Sequence, residues 1–365
     1  LGNVQFLLAG TSKQAKAYAY FLQAEYELMQ DNFKQAEKNY SKALSLAPDS
    51  PTILQSLVDI KSYQGEYPDA IQYLERILEL EPDNKESGLD LYHLYIKEGN
   101  LEVADKVLDS LIMYYPSDPD LLYVRANTQY SNQNWSNLLH TYKSIYLSDP
   151  NQTDLLIKIY EIGIVKGYLE QVRGILLELK IDNENTVILE LLVEISKEFG
   201  EYQEAIELFH QLIEKNGRSD KTSINLADLY LRNKQFEEVI SILQPLYKSG
   251  NYYIDILRML LISYSTLNQI EGEISVCQTL IREYPDLSIG YEALSYAYLE
   301  ADEKGSAMEI LILAIPKFPD IVTFPYFLAT IYNQSGDYVK AERYYHNILS
   351  IKPDMISVKH TLAIL

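Results

Sequence analysis

Few residues in this chain could do chemistry, and those few are scattered. The five histidines, His93, His140, His210, His346 and His360, never pair at the spacing of metal ligands, and Cys277 is the sole cysteine. A zinc site draws three or four ligands from clustered His, Cys, Asp and Glu, so none is expected. No cofactor is expected either, because the sequence has neither a GxxxxGK phosphate loop nor a GxSxG nucleophile turn. Glu190 and Glu194 lie one helical turn apart and could share a proton or hold a cation. Charge runs of that kind more often mark a solvated helix face. One cysteine cannot form an intramolecular disulfide. The nominal sequons at Asn39, Asn134, Asn151 and Asn333 are read as chance, since two fall inside expected helices.

The elements that must carry these groups declare themselves by period. Pro48, Pro82, Pro116 and Pro150 are each 34 residues apart, and so are Pro285, Pro319 and Pro353. Gly65, Gly99, Gly167, Gly200 and Gly336 fall midway between the proline positions. Their spacing keeps the same count except that Gly167 to Gly200 is one residue short. A deletion of one residue therefore lies between them, where Leu179 to Asn183 lacks the proline that is due. Self-similarity at such a period is the signature of stacked repeats.

Residues 321 to 353 show one unit. Phe324, Phe327, Leu328, Ile331 and Tyr332 recur at helical steps, Gly336 and Asp337 break the helix, and Tyr338, Ala341, Tyr344, Tyr345, Ile348 and Leu349 form a second amphipathic helix. Pro353 ends it. The aspartate after the proline, as in Pro48-Asp49, Pro82-Asp83, Pro285-Asp286 and Pro319-Asp320, is expected to cap the next helix. Ala36, Ala70, Ala104, Ala205 and Ala307 share the place of Ala341, where two helices cross closely. In the middle of the chain Val172 and Val239 replace that alanine.

Leu328, Ala329, Tyr332, Gly336, Tyr338, Ala341, Tyr345 and Pro353 together resemble the tetratricopeptide repeat, a helix–turn–helix unit. Leu294, Tyr298, Ala307, Ala314 and Pro319 repeat the resemblance, as do Phe33, Ala36, Tyr40, Ala43 and Pro48. It implies an all-α fold, a right-handed α-solenoid or superhelix of about ten repeats over 15-353. The expected boundaries lie near 50, 84, 118, 152, 184, 218, 252, 286 and 320. Residues 1-14 are read as an N-terminal stub, and 354-365 as a capping helix or the start of a further repeat. The irregular middle suggests a bend or hinge at 180–185. The chain begins at Leu1 rather than methionine, which is read as removal of an upstream segment. Lys16-Ala17-Tyr18-Ala19-Tyr20 resembles exported bacterial members of the family, which favours a periplasmic or envelope-associated setting over a cytoplasmic one.

In such arrays the first helices line a concave face, which the resemblance makes the binding surface. By register its exposed positions include Tyr63, His93, Tyr123, Asn127, Tyr130, Tyr296 and Tyr326, with Asp59, Asp90, Glu161, Glu190, Glu194 and Glu292 on the same face. Tyrosine, present 32 times, gives large contact area with a polar tip. The same tyrosines could instead pack between repeats. Lys221, Asn225, Arg232 and Arg258 form one cluster of the opposite sign, suited to an anionic contact, without matching position for position the carboxylate clamp of some family members.

Composition bounds the rest. The formal net charge of −21 and pI near 4.7 oppose nucleic acid and favour a basic partner whose binding weakens with salt. No apolar run is long enough to insert in a membrane. The expected function is a non-enzymatic protein–protein interaction scaffold or adaptor that holds a peptide or helix of a partner in its groove. The alternatives are an architectural subunit of a larger cell-envelope assembly, joined through the apolar C-terminal end, and the repeat region of a larger enzyme.

Overall fold

The computed structural model describes residues 12–181 and 185–365. Among the described residues there are twenty-one α-helices and no strand. Leu1–Ile175 and Leu176–Leu365 are two compact units. The chain begins with α1 (Lys13–Met29), α2 (Phe33–Leu46), α3 (Pro51–Gln64), α4 (Tyr67–Leu80), α5 (Lys85–Lys97), α6 (Leu101–Tyr114), α7 (Pro119–Ser131), α8 (Trp135–Ser148), α9 (Asp154–Lys166) and α10 (Leu169–Ile181). It continues with α11 (Thr186–Glu198), α12 (Tyr202–Asn216), α13 (Asp220–Arg232), α14 (Phe236–Lys248), α15 (Ile254–Thr266), α16 (Ile270–Glu283), α17 (Ser288–Glu300), α18 (Lys304–Lys317), α19 (Thr323–Gln334), α20 (Tyr338–Ile351) and α21 (Ile356–Ile364). Successive pairs make ten helical hairpins, and α21 follows the last. Each unit is a stack of such hairpins, the arrangement of an α-solenoid. The expected stub falls almost wholly outside the described residues, and so do residues 182–184 of the expected hinge.

The period arises from three local rules. Each proline of the 34-residue series sits two places past the last residue of a second helix, as Pro82 does after Leu80 and Pro353 after Ile351. There it blocks continuation without breaking the ladder. Each hairpin then turns through one residue of positive φ placed two before its second helix. Five of these are glycine, among them Gly65 at φ 78°. The other five are Asp31, Gln133, Lys234, Asn268 and Asp302, at φ between 52° and 59°. Side chains other than glycine pay about 1–2 kcal/mol in that region. The glycine series in the sequence is thus half of a series of turns.

The third rule is close crossing. Three residues into the second helix, Ala36, Ala70, Ala104, Ala205, Ala307 and Ala341 are fully buried. Where Val172 takes that place, the facing helix gives way: a Cβ on Gly163 of α9 would stand 2.7 Å from Val172 Cγ2. In the eighth hairpin, α15 with α16, the position holds Glu273.

The aspartates after the prolines do not cap. N-caps fall later, at Ser50, Asn84, Leu287, Val322 and Met355. The turn after each proline consumes one or two more residues than a direct cap allows. Asp49 instead pairs with Arg76, and Asp286 lies 3.4 Å from Lys317. Side-chain caps that do form include Asn84 Oδ1, which accepts from Ser87 N–H at 3.0 Å, and a reciprocal capping box between Ser219 and Thr222.

Candidate functional site

Successive first helices stand side by side, so residues one repeat apart meet on one face. In the unit Leu176–Leu365 this face holds a cleft of about 570 Å³ built from α11, α13 and α15, with Phe209 of α12 at its wall. Each first helix contributes an acid and a base one turn apart: Glu194 with Lys197, Asp228 with Arg232, and Asp255 with Arg258. Lys197 Nζ lies 2.8 Å from Glu194, and Arg232 Nε donates to Asp228 Oδ2 at 2.7 Å. That bond holds the Arg232 guanidinium further above its ordinary pKa. Among the described residues Arg258 has no ion pair. Val193, Met259 and Ile262 supply apolar floor between the charges.

Of the four residues read as a basic cluster, Asn225, Arg232 and Arg258 line this cleft, whereas Lys221 is exposed and does not line it. The cleft is charge-balanced rather than basic, because each first helix that brings a cation also brings an acid. Glu194 is spent on Lys197 and Glu190 is exposed, so this pair does not form a dicarboxylate site. The arrangement suits an amphipathic chain: apolar side chains on the floor, polar groups on Asn225, and an anion on Arg258.

In the unit Leu1–Ile175 the named tyrosines have partners within the chain. Tyr63 stacks on Phe33 of the preceding hairpin, with ring centroids 4.6 Å apart. Tyr130 meets Trp135 edge-on, and Tyr123 O–H donates to Gln152 at 2.6 Å. All three still present an open edge to solvent. His93 and Asn127 share a hollow of about 480 Å³. Asp59 and Asp90, on the adjacent first helices α3 and α5, both accept from Gln55 Nε2 at 3.3 Å. Burial pushes both carboxyls up, and the Asp90 charge adds to the effect on Asp59.

A second cavity of the unit Leu176–Leu365, about 510 Å³, lies among α15, α17 and α19. Tyr296 and Glu292 line it, and the Tyr296 ring lies 6.5 Å from that of Phe327, which Tyr326 also approaches. Glu273 lines it too, a residue outside the exposed groove positions expected from the sequence. Its signal was present: it is the one charged residue at the crossing position of the second helices. Among the described residues, no three of His, Cys, Asp and Glu gather closely enough to hold a metal ion, and no helix is long and apolar enough to cross a membrane. Cys277 is buried, and burial followed by the neighbouring Glu273 charge pushes its thiol up, away from reactivity.

Stacked hairpins with clefts between first helices define a helical-repeat protein of the α-solenoid class. The chain carries tetratricopeptide repeats: family models described as tetratricopeptide repeat match residues 63–128 and 198–249, and another matches 326–355. A curated relative, cellulose synthase operon protein C of Pseudomonas fluorescens (strain SBW25), is 19% identical over 90% of this chain and 31% of its own length. The chain therefore spans about a third of that relative. Among solved structures, MamA is 16% identical with a TM-score of 0.42 over 47% of this chain and 94% of its own. YrrB, a tetratricopeptide protein with an unusual peptide-binding site, is 12% identical with a TM-score of 0.41 over 50% and 95%. A tetratricopeptide protein from Parabacteroides merdae is 15% identical with a TM-score of 0.37 over 67% and 97%. The fold is in general one of protein-interaction scaffolds.

Proposed function

We propose that this chain is a non-enzymatic scaffold that holds an extended or helical segment of a partner protein in the cleft of α11, α13 and α15. The observation that carries the reading is Arg258. It is an exposed guanidinium without an ion pair among the described residues, set beside Asn225 and an apolar floor. Truncating a central arginine at an interface typically costs a large share of the binding energy. The net charge of −21 draws a partner that is basic overall, and its approach slows as salt screens the field.

Selection of peptides from a random displayed library on the intact chain tests this. Selected peptides should lose at least tenfold in affinity on Arg258→Glu and several-fold on Asn225→Ala, with Tyr63→Ala as an indifferent control. Peptides that bind equally to wild type and to both cleft variants would overturn it. A second reading, an architectural subunit of a bacterial envelope assembly, draws its support from the operon named for the Pseudomonas relative. It calls for stable co-purification with a synthase complex, where the scaffold reading calls for exchangeable peptide binding.

A further inference from the structure

The eighth hairpin breaks a rule that the other nine keep. Three residues into every other second helix stands alanine, valine or leucine, and in α16 stands Glu273. Its side chain is only 2% exposed, and its Oε2 atom has no hydrogen-bond partner. A buried carboxylate without a counter-charge opposes folding. Packing does not require it, since Val239 fills the same place one repeat earlier and is fully buried. An acid retained against its own stability points outside the chain.

The cavity that Glu273 lines supplies the direction. Its polar lining residues are Glu273, Glu292, Tyr296, Ser265, Thr266 and Thr323, with the Phe327 ring beside Tyr296. No lysine, arginine or histidine lines it, in contrast to the balanced cleft described above. We infer that this cavity receives an arginine side chain of a partner polypeptide, which passes the rings of Tyr296 and Phe327 and ends on the carboxylates of Glu273 and Glu292. The inference rests on the reading of the first-helix face as a partner surface, and it adds a second, chemically distinct contact to that face.

Arginine fits better than lysine on physical grounds. Its guanidinium is planar, stacks on aromatic rings, meets carboxylates through two parallel hydrogen bonds and sheds water more cheaply than an ammonium. The carboxyl that waits for it is held in an adverse state. Burial raises Glu273, a Ser265 hydrogen bond opposes the rise, and the Glu300 charge reinforces it. Glu273 Oε2 is sealed in the free chain, so a guanidinium in the cavity supplies the missing partner when the carboxylate turns toward it.

The test is calorimetric titration of the intact chain with acetyl-Gly-Leu-Arg-Leu-Gly-amide and with the same peptide carrying citrulline, which keeps the shape and removes the charge. The arginine peptide should bind at least tenfold tighter than the citrulline peptide. Glu273→Gln and Glu292→Gln should each remove most of that ratio, while Arg258→Ala in the other cleft should leave it intact. Circular dichroism establishes that Glu273→Gln is folded, and the more exposed Glu292→Gln carries the test if it is not. Equal affinity for the two peptides, or an undiminished ratio in both glutamine variants, overturns the inference. So does a heat signal with calcium chloride that depends on Glu273 and comes without arginine preference, which would mark a small-cation pocket instead. Absence of any binding by the arginine peptide at millimolar concentration also overturns it, and leaves the cleft at Arg258 to its own test.

Discussion

Replacing Glu273 by valine should stabilise the free protein. The side chain is 2% exposed and one carboxylate oxygen has no partner. Leaving such a group unmet costs about 1–3 kcal/mol, and exchanging buried ionic groups for apolar ones gains about 1–4 kcal/mol in other proteins. The loss of side-chain volume subtracts little here, because the site already opens into a cavity and Val239 shows that valine fits the same crossing. A net gain of about 1–2 kcal/mol follows, or a rise of about 2–8 °C in the melting midpoint for a unit of this size. The gain has a pH signature. The folded carboxyl titrates above its unfolded value, so the destabilisation is absent below about pH 4, where both states are protonated. It grows as pH rises through the raised folded value and is complete above it. Trp135, the sole tryptophan, lies in the other unit and does not report on this one. Hydrogen exchange of the amides in α15, α16 and α17 is therefore the assay, run at pH 4 and pH 7. If the variant exchanges as fast as wild type or faster at pH 7, or if its advantage is the same at both pH values, the assignment of Glu273 as a buried unpaired charge is wrong.

Three further outcomes are expected. Gly163→Val should cost about 1–3 kcal/mol through its clash with Val172, and Val172→Ala in the same chain should restore most of it, a coupling that a double-mutant cycle by urea melts would read. Lys61→Met should cost about 1–3 kcal/mol, because Lys61 is nearly buried among Glu37 at 2.8 Å, Glu66, and Asp69 at 3.7 Å, while those acids stay partly in water. The Lys61 bond holds the Glu37 carboxyl low, so this contribution is present above about pH 4 and fades as pH falls through the lowered folded value; the cost of Lys61→Met, followed by thermal melts, should shrink accordingly. Lys234→Gly should stabilise by roughly 0.5–1 kcal/mol in the same melts, since it relieves a left-handed residue at φ 59° at a smaller cost in unfolded-state freedom.

The hairpins were legible because their punctuation is chemical. Proline cannot continue a helix and glycine takes the left-handed turn without strain, so both mark boundaries that no neighbour can overrule. The same logic hid half of the turns, where Gln133 and Lys234 accept the strained conformation and carry no sign of it in their chemistry. It also misplaced the caps, because the chain around Pro48 and Pro82 first closes a four-residue turn, Ser50 N–H to the Ala47 carbonyl and Asn84 N–H to the Glu81 carbonyl, and the helix starts only after it. Asn225, Arg232 and Arg258 could be placed on one face by counting, whereas the neutralisation of Arg232 by Asp228 depended on rotamers that counting does not contain. Glu273 was missed for a different reason. Charge at a groove is expected at exposed positions, whereas Glu273 stands at the position where the repeats bury their side chains.

The tyrosine ties between neighbouring loops bear on how the chain reaches its structure. Tyr115 O–H donates to the Asp83 carbonyl at 2.7 Å and Tyr284 O–H to the Tyr252 carbonyl at 3.1 Å, and both span 32 residues of sequence. Contacts of that reach keep contact order low, and low contact order goes with rapid folding. A hairpin can find its neighbour soon after both have left the ribosome, without waiting for a distant segment. Chain synthesis at about 5–20 residues per second then delivers one new repeat every few seconds, far slower than helices and short loops close. The protein can therefore assemble in the order in which it is made, each finished repeat serving as the template for the next.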